Sequence, residues 1–129
     1  MPPEHQPITG VVLSRDLFFP SKVTGTASAL GARVVMEGDP GSAAKKAAEP
    51  GCRCLIVDLA VPGLSLESLL SGLPREHRPR VIAYDAHVNE ARIEAARAAG
   101  CDAVYTRGQF SAGLAAILRD CFSDSDAPA

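Results

Sequence analysis

The chain contains no tryptophan, and phenylalanine and tyrosine together bring its aromatic share to only 5%. So little aromatic surface suits tight helix-on-sheet layers better than an aromatic-lined ligand pocket. An excess of positive charge is also missing. Thirteen Lys and Arg stand against 15 Asp and Glu, for a net charge of −2. That balance offers no electrostatic footprint for nucleic acid or an anionic membrane. No apolar run approaches the roughly 18 residues needed to cross a bilayer. The opening "MPPEHQPITG" has no basic region leading into an apolar stretch, so no secretory signal is expected. These absences together predict a cytoplasmic protein with neither a nucleic-acid nor a membrane partner.

Cysteine is present but sparsely patterned. Cys52-x-Cys54 is one residue short of a redox C-x-x-C, and Cys101 and Cys121 do not complete a zinc ligand set. The expected state is four reduced, mostly buried thiols acting as small apolar side chains, with no metal and no cofactor.

What the chain does have is 47% apolar residues in a length of 129, enough for the core of one domain. That domain is read as residues 1–122, with "SDSDAPA" at 123–129 as a disordered tail. Five short apolar runs read as strands: "ITGVVLS" (8–14), "ARVVME" (32–37), "CRCLIVD" (52–58), "PRVIAYD" (79–85) and "CDAVYT" (101–106). Between and after them lie five helical segments. The first contains Pro20, presents Val23, Ala27 and Leu30 on one face, and stops at Gly31. The second follows Asp39-Pro40, a cap with proline in the first turn, and the third spans 64–73 with Ser65 as its candidate cap. The fourth, 88–100, is alanine-rich and stopped by Gly100, and the last spans 109–122. Glu90, Arg92, Glu94 and Arg97 read as the solvated face of the fourth helix. Alternation of strands and helices predicts an α/β fold of three layers, a parallel sheet between two sets of helices. Continuous runs such as Leu55-Ile56-Val57 fit strands covered on both faces.

In such a sheet, sites form beyond the carboxyl ends of the strands. The residues delivered there are Ser14, Arg15 and Asp16 from strand 1, and Asp58 from strand 3. Strand 4 supplies Asp85 with His87 behind it, and strand 5 supplies Thr106 and Arg107. Asp58 is notable because it ends a fully apolar run. It is read as a helix cap, as a structural acid paired with Arg15 or Arg107, or as a chemical site. Asp85 is read as capping the following helix or bonding its amides in preference to a metal, and His87 as a loop or cap residue. Lys22 with Thr24-Gly25-Thr26 lacks the order of a phosphate-binding loop and is assigned to helix 1.

At this point the chain resembles the response-regulator receiver family. "LIVDLAVPG" looks like the receiver strand that ends on the phospho-accepting aspartate. "PRVIAYDAH" is similar to the fourth strand, and "AARAAGCDAVYTRGQF" to the segment around the fifth. The resemblance spans nearly the whole chain and implies a flavodoxin-like sheet of order 2-1-3-4-5. It implies Asp58 at the phospho-acceptor position, and a partner or dimer surface on helix 4, strand 5 and helix 5, from about Val88 to Phe122. The chain also departs from the family. Ser14 and Arg15 stand where receivers carry the two metal-holding acids, leaving Asp16 one place further on. Asp85 replaces the strand 4 hydroxyl, Arg107 the strand 5 lysine, and Gly108 the following proline. Val104 occupies the place of the switch aromatic, with Tyr105 one position over and so facing the other side.

Phosphoryl transfer to a carboxylate needs a divalent cation to neutralise the developing charge, and arginine at a metal position opposes that. An arginine also prefers bidentate pairing with a carboxylate. The leading expectation is therefore a degenerate receiver-like signalling module. It would work through contact with a protein partner or a second copy, without enzymatic activity or Mg²⁺-dependent phosphorylation, and with Asp58 locked to an arginine. Two other readings stay open. One is a small anion- or phosphate-binding domain using Arg15, Arg107, Ser14 and Thr106. The other is a true phospho-acceptor or enzyme, using Asp58 with Asp16 and Asp85 around a relocated metal.

Overall fold

The structure, a computed structural model, describes residues 7–123. Five parallel strands, β1 (Gly10–Leu13), β2 (Val34–Glu37), β3 (Cys54–Asp58), β4 (Arg80–Asp85) and β5 (Ala103–Thr106), form one sheet of order β2-β1-β3-β4-β5. This is the expected three-layer α/β fold. One layer is built by α1 (Phe19–Ala29) with α5 (Arg107–Ala112) and α6 (Leu114–Phe122). The other is built by α2 (Pro40–Ala47), α3 (Leu66–Ser71) and α4 (Glu90–Ala99).

Side chains of β3 show why its run had to be continuously apolar. Cys54 and Ile56 pack toward α1, α5 and α6, whereas Leu55 and Val57 pack toward α2–α4, and all four are fully buried. At β5 the same alternation sends Val104 to the α2–α4 side and Tyr105 to the other, as the period of two requires.

Local chemistry sets the element ends. Asp39 accepts from the Ser42 N–H (2.9 Å) at the start of α2, and Ser65 accepts from the Ser68 N–H (3.4 Å) at the start of α3. Gly100 ends α4 at a φ of 109°, where a side chain would be strained. The turn after β3 bonds the Leu64 N–H to the Val61 carbonyl (3.3 Å) and places Gly63 at a φ of 71°. Pro62-Gly63 is suited to that geometry, because proline fixes the first central residue and glycine accepts the positive φ of the second.

The chain departs from expectation at its end. Six helices are present among the described residues, not five, because the segment expected as 109–122 starts earlier and is broken. Thr106 accepts from the Gln109 N–H (3.1 Å), and the Gln109 side chain accepts from the Thr106 N–H (3.0 Å). This capping box winds the chain into α5 directly off the strand. Gly113 then leaves helical geometry, with φ −106° and ψ 16°, and α6 begins at the next residue. Residues 124–129 of the expected disordered tail lie outside the described residues.

Candidate functional site

The chain reverses its direction of travel across the sheet between β1 and β3, so the crevice at their carboxyl ends is where a site belongs. Leu13 pairs in register with Val57, which sets the next residues, Ser14 and Asp58, side by side. The Ser14 hydroxyl donates to Asp58 Oδ2 at 2.7 Å, and the Ala60 N–H donates to Asp58 Oδ1 at 2.9 Å. Both side chains are buried. The expected arginine pair is therefore corrected: Asp58 is held by a serine hydroxyl and a backbone amide, with no ion pair to Arg15 or Arg107.

Strand and helix geometry explains the difference. Arg15 is exposed, and its Nε donates to the Gly38 carbonyl (3.1 Å) just beyond β2. Arg107 is the first residue of α5, and its guanidinium lies over the Phe19 ring, 5.8 Å from the centroid. Asp16 is likewise turned back on its own loop. Its N–H donates to Ser14 Oγ (3.1 Å) and its Oδ1 accepts from the Phe18 N–H (3.0 Å).

Tyr84 completes this cluster and was not singled out from the sequence. It pairs in register with Asp58 and so shares its face of the sheet. Its hydroxyl is buried without a hydrogen-bond partner, although Ser14 and Asp58 both influence it. Burial first, and then the negative charge of Asp58, push this phenol well above the ordinary tyrosine range. The ring stacks on Phe110 (centroids 5.3 Å apart) and meets Phe19 at 5.0 Å.

Asp85 does not join Asp58. One place beyond Tyr84, it falls on the opposite face and turns to α4. There it accepts from the Ala86 N–H (2.8 Å), Asn89 Nδ2 (3.0 Å), Arg92 Nε (2.6 Å) and Arg92 Nη2 (3.0 Å). Burial acts to raise its pKa, but the Arg92 and Asn89 hydrogen bonds and the Ala86 amide outweigh it and leave the carboxyl below its ordinary value. Asp85, expected to cap the next helix or bond its amides, is corrected: the backbone amide it accepts from is Ala86 in the preceding loop, and it meets α4 through the Arg92 side chain. Arg92, expected on a purely solvated face, is corrected to the partner of Asp85, with its side chain half exposed.

A third group gathers where α1, the β4–α4 loop and the start of α5 meet. Phe19, Lys22, Ala86, His87, Thr106 and Arg107 are among the walls of an open cleft of about 590 Å³ there. Apart from Arg15, which turns to Gly38, the residues at the carboxyl edge fall in three groups with their neighbours: Ser14, Asp16 and Asp58 with Tyr84; Asp85 with Asn89 and Arg92; and His87, Thr106 and Arg107 with Lys22 at the cleft.

The donor set does not fit the divalent cation that the receiver resemblance implies. Ser14 and Arg15 replace two of the acids, Asp16 bonds its own loop, and both Asp58 oxygens already accept hydrogen bonds. Among the described residues, no three His, Cys, Asp or Glu side chains are grouped so as to hold a metal ion. The cysteines are free. Cys52, Cys54 and Cys121 are buried and Cys101 is half-buried, with burial pushing the Cys101 thiol up to about 11.

No protein-family model and no curated protein matches the chain. Solved structures do. The receiver domain of NtrX from Brucella abortus superposes with a TM-score of 0.73 at 18% identity, covering 90% of this chain and 99% of that one. The chain has the receiver fold. Within the longer NtrX chain solved in complex with ATP, it matches only 27% of the length, again at a TM-score of 0.73 and 18% identity. The receiver domain of the sensor histidine kinase PA1611 from Pseudomonas aeruginosa PAO1, which has a magnesium ion in its active-site cleft, is similar as well. It gives a TM-score of 0.70 at 20% identity over 89% of this chain and 98% of that one. Among the described residues, no helix is long and apolar enough to cross a membrane.

Proposed function

We propose that this chain is a degenerate receiver-like signalling module that works by contact with a protein partner or a second copy, without Mg²⁺-dependent phosphorylation of Asp58. One observation carries this reading: the acid at the phospho-acceptor position is buried and already held by the Ser14 hydroxyl and the Ala60 amide. A phosphoryl group entering there would have to displace Ser14 and would find no set of acids to bring in its cation. Around it, the residue at the strand 4 hydroxyl position has taken structural work: Asp85 ties β4 to α4.

With the acidic cluster closed, output must come from the surface. The α4–β5–α5 face, extended here by α6, offers exposed charges such as Glu90, Glu94, Arg97 and Arg119. Complementary charges on a partner would set specificity and association rate there more than raw affinity.

The test is incubation with a small phosphodonor such as phosphoramidate in the presence of Mg²⁺, followed by intact-mass measurement. The mass is expected to stay unchanged. A phosphoryl adduct that maps to Asp58 would overturn the proposal.

A further inference from the structure

The cleft between α1 and α5 has a charge pattern that the receiver reading does not use. Lys22 and Arg107 bring two positive charges into its wall, and no Asp or Glu lines it. Neither cation has an acidic partner among the described residues. Arg107 is instead steadied over the Phe19 ring. The larger cleft at the amino edge, of about 1020 Å³, provides the contrast: there Arg78 pairs with Asp102 and Arg80 with Asp120. In the smaller cleft neither Lys22 nor Arg107 is paired in this way.

Two further features describe what would fit. Ser111 and His87 also line the cleft, and Gly108 adds no side chain to it. The chain neighbours of Phe19 and His87 are apolar and open to solvent: Phe18 is 85% exposed and Val88 is 73% exposed. A volume of about 590 Å³ lies within the ~300–1,000 Å³ usual for small-ligand sites.

We propose that this cleft binds a small phosphomonoester, its phosphate held by Lys22 and Arg107 and its apolar body directed toward exposed Phe18 and Val88. A guanidinium fork and an ammonium suit phosphate oxygens, and a dianion balances both charges. The site differs from the one expected in sequence, since Lys22 replaces Ser14 and Arg15. It needs neither Asp58 nor a divalent cation, so its failure would leave the reading of Asp58 standing.

The probe is phenyl phosphate, titrated against the ¹⁵N-labelled chain without Mg²⁺, with inorganic phosphate, benzoate and a phosphoserine peptide as parallel arms. Saturable shifts are expected around Lys22, His87, Arg107 and Ser111, with phenyl phosphate tighter than inorganic phosphate or benzoate. Lys22→Ala and Arg107→Ala should each weaken it about 10- to 100-fold. Arg15→Ala removes an equal charge outside the cleft and should hold affinity within about twofold. Both lysine and arginine are exposed, so the variants are expected to fold, and an unchanged far-UV spectrum checks this. Non-saturating shifts, equal losses in all three variants, or benzoate binding as tightly as phenyl phosphate would overturn the proposal. So would tighter binding of the phosphopeptide, which would assign the cleft to a protein.

Discussion

Phe110→Ala is expected to destabilise the fold by about 3–5 kcal/mol, the range for removing a buried phenylalanine and leaving a cavity. Phe110 is fully buried, and its ring stands 5.3 Å from Tyr84, 5.7 Å from Phe19 and 6.0 Å from Tyr105. It therefore joins β4, β5 and α1 through one short helix. Phe110→Leu fills more of the space and should cost clearly less. Urea unfolding decides the matter: the midpoint should fall with the slope unchanged. A loss below about 1 kcal/mol would mean that α5 is not anchored as described.

The second large effect is expected at Asp85. Asp85→Ala removes a buried carboxylate that accepts four hydrogen bonds, two of them from Arg92. It leaves the Ala86 amide without its partner. Breaking a buried pair costs about 3–5 kcal/mol, but a half-exposed Arg92 regains water, so about 2–3 kcal/mol is expected. Acid sensitivity should change too. The folded-state pKa of Asp85 lies below its unfolded value. Its contribution is therefore complete above the ordinary carboxylate pKa and is lost as pH falls through the lowered one. Asp85→Asn should flatten the stability profile in that acidic window while changing its shape little near neutrality. An unaltered acid limb would show that Asp85 is not a stabilising carboxylate.

Fold and site were legible in the sequence to different degrees, for physical reasons. Strands were plain because burial on both faces forces runs such as Leu55-Ile56-Val57, and that signal survives without knowledge of neighbours. The last helix was misjudged because its start depends on a reciprocal bond between Thr106 and Gln109. A T-x-x-Q spacing was available as a signal for it, and Gly113 as a signal for the break. At the carboxyl edge the pairing differs from expectation. Ser14 reaches Asp58 because β1 and β3 are paired in register, and register is a property of two strands, not of either sequence segment. Arginine was favoured over serine on charge alone, whereas geometry sends Arg15 to Gly38 and Arg107 to Phe19. Arg92 looked like surface charge because its partner lies seven residues back, outside the helix, where no i,i+4 pattern marks it. Tyr84 was hidden inside an apolar strand, and only the pairing of β3 with β4 places it beside Asp58.

Loss of phosphorylation chemistry at the Asp58 cluster is the central claim. It is tested most directly by following the backbone amides of Ser14, Asp58 and Ala60 while Mg²⁺ and beryllofluoride, a mimic of an aspartyl phosphate, are added together. The Ser14–Asp58 bond should keep these resonances where they are throughout the titration. Saturable, Mg²⁺-dependent displacement of the Asp58 and Ala60 amides would contradict the account.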